Sequence, residues 1–282
     1  MSKKYELTNT TSELNGHTLH RIKLLRDCGL HKKGTYGGWI ESEENLSHSG
    51  DCFVDYDACV YGNARVYENA KIFGFAQVYE YARVYGEATV YGHAKIHGYA
   101  RVSDNAFVNH EAEIYDYAEV YDFAHVLEKA KVFGWARVSG IAHIQGNARI
   151  YGDADVSGYA NVCDDAHVRG DARLYGETSI GGKVAINDNT EYITFKNWWS
   201  SGRYFTWTKP NNMWKVGCFY GTGEELINKA YRDSELSGRE YERVVLYVES
   251  IGRYNSSISN APSAKSSFLS RLKSFITRST RI

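Results

Sequence analysis

Alanine recurs at every sixth position from Ala58 to Ala172, twenty times without a gap. Two residues after each alanine stands Val, Ile or Leu, from Val60 through Ile72 to Leu174. A fixed hexapeptide period leaves few folds open, because every unit must make the same turn and bury the same two side chains. In an extended segment residues i and i+2 share a face, so the Ala and Val point together and the residue between them points away. The position after each outward aromatic or polar residue is Gly or an acid, as at Gly62, Gly74, Gly86, Asp104 and Asp116, with His110 the exception. Asn often follows it, as at Asn63, Asn69, Asn105 and Asn147. Gly and Asn suit the positive φ of a sharp corner.

Short strand, corner, short strand describes a three-sided prism whose coils of 18 residues stack at about 4.8 Å. The spacing predicts a left-handed parallel β-helix of about eight coils, mainly β, followed by a small α+β C-terminal domain. Proline is absent from the repeat, as continuous ladders require. By position, Ile40, Leu46 and Cys52 extend the Ala column upstream, and Val184 and Ile186 extend both columns downstream. Bare solenoid ends would expose ladder edges, so both need covering. The expected organisation is an N-terminal cap over 1–36 with a strand in Leu19–Leu25, the β-helix over 37–188, a sheet-and-helix module over 189–252, and a linker with a short basic amphipathic helix over 253–282.

Between Asp51 and Asp188 acids outnumber bases 20 to 12, whereas Ala261–Ile282 holds five bases and no acid. An acidic body with a basic tail points to an interaction tail rather than a nucleic-acid-binding core. The five cysteines, Cys28, Cys52, Cys59, Cys163 and Cys218, show no paired spacing. That pattern argues for a reducing compartment and against a disulfide frame or zinc site. No signal-like or membrane-length apolar run is present, so a cytoplasmic protein is the default expectation, with no membrane span.

A period of 18 sorts the outward residues into three faces. The first carries Tyr61, Tyr79, His97, Tyr115, Phe133 and Tyr151. The second carries Arg65, Arg83, Arg101, Glu119, Arg137, Asp155 and Arg173, and the third carries Lys71, Thr89, Phe107, His125, His143, Asn161 and Ser179. The aromatic column either stacks on itself along the ladder or forms a patch that awaits a partner. Arg65, Arg83 and Arg101 at strand spacing repel one another, so either acids at adjacent corners (Glu68, Glu87, Asp104) or an acidic partner must compensate. The binding candidates are therefore Tyr61, Tyr79, Tyr115, Phe133, Tyr151, Arg65, Arg83 and Arg101.

Chemistry is harder to find. His125 and His143 are 18 apart and stack on one face, which makes them weak candidates for catalysis. His93, His97 and His110 fall at different corners or rows, so no metal triad forms. No nucleophile–base motif, phosphate-binding loop or dinucleotide fingerprint occurs. The outward faces also lack the ranks of Thr-x-Thr that would bind ice.

From Glu191 the composition changes. EYITFK, RYFTWT and MWKVGCFY read as three strands, with Ser200-Ser201-Gly202 as a turn. Thr222-x-x-Glu225 and Ser237-x-x-Glu240 are capping boxes for two helices, the second ending at Gly252. Trp198, Trp199, Trp207 and Trp214 serve as core and as a seal on the last coil, or line a site.

LHRIKLLRD (Leu19–Asp27), GGWIESEENLS (Gly37–Ser47) and the following repeats resemble uncharacterised hexapeptide-repeat proteins of bacteria and their phages, which often carry an acyltransferase label. The C-terminal FKNWWSSGRYFTWT and MWKVGCFYGTGEEL resemble a phage-type module. Enzymes of that repeat class are usually trimers that hold acyl-CoA between neighbouring helices, often with a catalytic His and loop excursions. Here Ala58–Leu174 contains no inserted residue, and no catalytic residue transfers. The expectation is a non-catalytic interaction or scaffold protein without cofactor, phage or prophage encoded and acting on a protein partner or itself. A trimeric acyltransferase using acyl-CoA is the alternative, and a homo-oligomer, with a trimer favoured, suits both.

Overall fold

A computed structural model describes residues 3–258, with side chains as far as Ile251. The short basic amphipathic helix expected in the tail falls beyond Ile258, outside the described residues. The chain divides into two compact units, Met1–Thr222 and Gly223–Ile282.

The first unit is a β-solenoid of about eight coils with a sheet at its end. Each coil contributes one two-residue strand to each of three parallel ladders. Face I runs from Cys59–Val60 to Ala185–Ile186, face II from Arg65–Val66 to Arg173–Leu174, and face III from Phe53–Val54 to Ser179–Ile180. Register between coils is in step: Arg83 pairs Arg101, and Val84 pairs Val102. All twenty alanines are fully buried, and the branched residues beside them are at most 1 % exposed. The interior is thus a column of methyl and branched aliphatic groups, and its burial supplies the main stabilisation.

The corners explain why acids alternate with glycine. Glu68, Glu80, Asp116, Asp122, Glu128 and Asp164 all adopt positive φ. Each uses its carboxylate to accept the N–H of a glycine one coil further on: Glu68 from Gly86 at 2.8 Å, Glu80 from Gly98 at 2.8 Å, Asp116 from Gly134 at 3.1 Å and Asp122 from Gly140 at 2.9 Å. In the same way Glu128 accepts from Gly146 at 2.6 Å and Asp164 from Gly182 at 2.7 Å. A corner N–H that would otherwise be left to solvent gains a charged acceptor.

At the start, β1 (Tyr5–Leu14), β2 (His17–Leu24) and β3 (Tyr36–Ile40) form an antiparallel extension of face I, and β3 then pairs in parallel with Cys59–Val60. The expected strand at Leu19–Leu25 is β2. The frame upstream differs from expectation. Ile40 pairs with Val60 and Leu46 with Val66, so both sit in the Val column rather than the Ala column. Only Cys52 occupies an Ala position, its neighbour Phe53 pairing with Lys71. The corner between Leu46 and Cys52 is two residues longer than the others, which shifts the column assignment of everything before it. Lys4 is buried under this corner, its Nζ donating to the carbonyl of Cys52 at 2.7 Å and to that of Gly50 at 3.4 Å. The GGWI motif is explained by close approach: a Cβ on Gly38 would lie 2.6 Å from the Ala58 carbonyl oxygen.

At the far end, β4 (Tyr192–Lys196), β5 (Tyr204–Thr208), β6 (Met213–Val216) and β7 (Phe219–Gly221) make an antiparallel meander. The single strand expected over MWKVGCFY is two, because Gly217 (φ 57°) and Cys218 turn the chain. The sheet covers the last coil: Thr206 Oγ1 accepts the N–H of Ser179 at 3.1 Å, and Tyr192 donates its hydroxyl to the Arg173 carbonyl at 2.7 Å. Trp207 and Trp214 are buried, whereas Trp198 is exposed.

The second unit pairs α1 (Gly223–Asp233) with α2 (Glu235–Ile258). Thr222 immediately precedes α1, as its capping box requires, but α2 begins two residues before Ser237 and continues beyond Gly252. Tyr241, Val245 and Val248 are buried, following the helical period.

Candidate functional site

The predicted aromatic column exists, and it is closed upon itself. Tyr61, Tyr79, His97, Tyr115, Phe133 and Tyr151 stack with ring centroids 4.7–5.1 Å apart and planes within 5° of parallel. Tyr61 is buried and accepts a hydrogen bond from Asn15 Nδ2 at 3.1 Å. Burial, reinforced by Tyr61, Glu113 and Glu80, pushes the Tyr79 phenol up to about 12. His97 sits between Glu80 and Glu113, with Nε2 3.2 Å from Glu113. This column clamps one coil to the next.

A second stack, not among the residues expected from the sequence, is open. Tyr81, Tyr99, Tyr117 and Trp135 occupy the corner between faces I and II, each immediately before an alanine. Their centroids lie 4.9, 5.0 and 4.2 Å apart, with planes within 7° of parallel. They are 49, 49, 44 and 61 % exposed. Together with Arg83, Arg101, Glu119, Arg137 and Asp153 they line a groove of about 450 Å³. The signal was present in the sequence as four aromatics at consecutive intervals of 18, ending where the next position is Asp153.

Ring orientation decides what the groove can do. Because the planes lie on one another along the solenoid axis, each interior ring offers its edge and its hydroxyl rather than its face. Stacking of flat ligands along the row is therefore blocked, and hydrogen bonding at the edges is favoured. Among the described residues the hydroxyls of Tyr81, Tyr99 and Tyr117 have no protein hydrogen-bond partner.

Charge is distributed unevenly along the groove. Arg101 bonds Glu119 at 2.9 Å, and Arg65, one coil below the groove, reaches Glu44 at 3.5 Å. Among the described residues Arg83 and Arg137 have no ion-pair partner. The compensation expected from Glu68, Glu87 and Asp104 does not reach Arg83, since Glu68 accepts from Gly86 N–H, Glu87 from Asn69 Nδ2 and Asp104 from Ser103 Oγ. Of the predicted binding residues the groove gathers Arg83 and Arg101.

The histidine pair lies elsewhere. His125 and His143 are on face III with centroids 4.6 Å apart and planes 45° apart, next to Phe107 and Asn161. Burial, then the neighbouring His143, lowers the His125 imidazole below its ordinary value. Among the described residues no group of three His, Cys, Asp or Glu side chains is arranged to hold a metal ion.

These features define a β-solenoid with an exposed aromatic and arginine groove along one corner. Compared with known proteins, the chain matches no family model, and no curated protein matches it. Among the described residues no helix is long and apolar enough to cross a membrane.

Proposed function

We propose that this protein is a non-catalytic scaffold that binds another protein along the Tyr81–Trp135 groove. One observation carries the reading: a row of exposed rings lies beside two guanidinium groups that no described acid neutralises, on a rigid ladder. Rigid aromatic and arginine groups are the types that dominate binding energy at protein interfaces. The GGWIESEENLS resemblance supports placing the chain among hexapeptide-repeat proteins of bacteria and their phages, and for a phage or prophage protein the partner we assign is a protein of the host. The acyltransferase alternative finds less support, because His125 and His143 sit on a different face from the groove and their rings neighbour Phe107 and Asn161 rather than a carboxylate.

The test compares the wild-type chain with Tyr99→Ala and Arg83→Ala variants in affinity capture from host extract, followed by reconstitution with each purified captured protein. A partner that binds wild type and is lost from both variants supports the reading. Saturable acyl transfer from acyl-CoA, abolished by His143→Ala or His125→Ala, would overturn it.

A further inference from the structure

We propose that the groove recognises an extended acidic segment of the partner, with carboxylates on residues i and i+4 seated against Arg83 and Arg137. The inference rests on the groove being a binding surface and adds the chemistry of its occupant.

Spacing is the first argument. Arg83 and Arg137 are separated by three coil steps, the intervening rungs carrying Arg101 and Glu119. At about 4.8 Å per step the separation is about 14 Å. An extended chain rises about 3.3 Å per residue, so residues i and i+4 lie about 13 Å apart and on the same side. Two carboxylates at that spacing meet the two unpaired guanidinium groups together. Arg–carboxylate pairing in fork geometry is the matching chemistry.

The middle of the groove argues for discrete charges. Residue i+2 of the occupant falls over Arg101 and Glu119, which already bond one another at 2.9 Å, so that position suits an uncharged side chain. A uniform polyanion would meet Glu119 and Asp153 within the groove and Asp155 one rung beyond Arg137, which disfavours nucleic acid. The unpartnered hydroxyls of Tyr81, Tyr99 and Tyr117 both donate and accept, which suits the alternating N–H and C=O groups of a peptide backbone. The chain's own tail does not fit, since Ala261–Ile282 carries five bases and no acid.

The probe is a dye-labelled peptide of Gly, Ser and Thr carrying two glutamates, titrated with the full chain by fluorescence anisotropy. Three comparators are used: glutamates at i and i+2, no glutamates, and a single-stranded oligothymidylate. The i,i+4 peptide is expected to bind about two- to fivefold more tightly than the i,i+2 peptide and about tenfold more tightly than the neutral one. Arg83→Ala and Arg137→Ala each remove about two- to fivefold, and the double variant erases the preference for i,i+4. Arg149→Ala, on face I, leaves it intact, and circular dichroism confirms that every variant is folded. Equal binding of the two spacings, survival of the preference in the double variant, or equal binding of the oligothymidylate would overturn the inference. Equal spacings together with loss of a captured partner from the Tyr99→Ala and Arg83→Ala variants would reject the acidic occupant while leaving the groove reading intact.

Discussion

The corner column Gly86, Asp104, Asp122, Gly140, Gly158, Gly176 allows backbone strain, crowding and hydrogen bonding to be separated by three substitutions. Gly140 and Gly176 have nearly the same φ, 66° and 67°. A Cβ on Gly176 would meet nothing within 4 Å, whereas one on Gly140 would lie 2.7 Å from Gly158 N and 3.1 Å from its Cα. Gly176→Ala therefore incurs the left-handed penalty of roughly 1–2 kcal/mol. Loss of unfolded-state freedom offsets about 0.4–1 kcal/mol of that, leaving a net of about 1 kcal/mol. Gly140→Ala adds a forced separation of two coils, about 1–3 kcal/mol as for other overpacked sites, and should reach about 2–4 kcal/mol. Gly140→Asp carries the same crowding, but its carboxylate can accept the Gly158 N–H, as Asp122 accepts that of Gly140 at 2.9 Å. A charge-assisted bond of about 1.5–3 kcal/mol should bring it back to about 0.5–2 kcal/mol. Urea denaturation followed by circular dichroism at neutral pH measures all three. A Gly140→Ala variant no worse than Gly176→Ala, or aspartate at 140 no better than alanine, would show that crowding and the carboxylate bond do not act as described.

Three further outcomes follow from the packing. Lys4→Ala should cost about 1–3 kcal/mol in urea melts, because the buried carbonyl of Cys52 loses the ammonium that donates to it at 2.7 Å. Burial of Glu113 opposes its charge, but Lys131 and His97 outweigh it and hold the carboxyl below the ordinary 4.5. A depressed folded-state pKa stabilises the fold above the unfolded value, so stability should fall as pH drops below about 4.5, and Glu113→Gln should flatten that part of the urea-midpoint profile. Ellman's reagent should modify one thiol quickly, that of exposed Cys218. Cys28, Cys52 and Cys163 are buried and Cys59 is pushed up to about 11 by burial and Asp57, so the remaining four should react only on unfolding.

Much of the fold is readable from the chain because one constraint repeats. The Ala and Val columns, the corner residues and the Tyr61–Tyr151 stack each recur at the coil period, and register follows from position alone. That arithmetic fails where a corner changes length: the longer turn before Cys52 moved Ile40 and Leu46 into the other interior column, and no residue type at those positions announces it. Strand β1, with the sequence YELTNTTSEL, lacks a hydrophobic alternation because it is an edge strand with mostly exposed side chains. The open groove was missed for a different reason. Tyr81, Tyr99, Tyr117 and Trp135 precede the alanines at turn positions, where the inside–outside alternation of a strand says nothing about exposure. Only the folded corner shows that these rings, and not the Tyr61 column, face solvent beside the arginines.

The in-step register of the rungs makes this molecule a ruler graduated in coils. Any side chain on a face can be placed from another only at whole multiples of about 4.8 Å, and the fold has no means of setting an intermediate distance. Removing one complete 18-residue repeat between Arg83 and Arg137 would leave every corner and column in phase, yet bring the two guanidinium groups one graduation closer. Selectivity along such a surface is then set by counting repeats, and it changes in discrete steps.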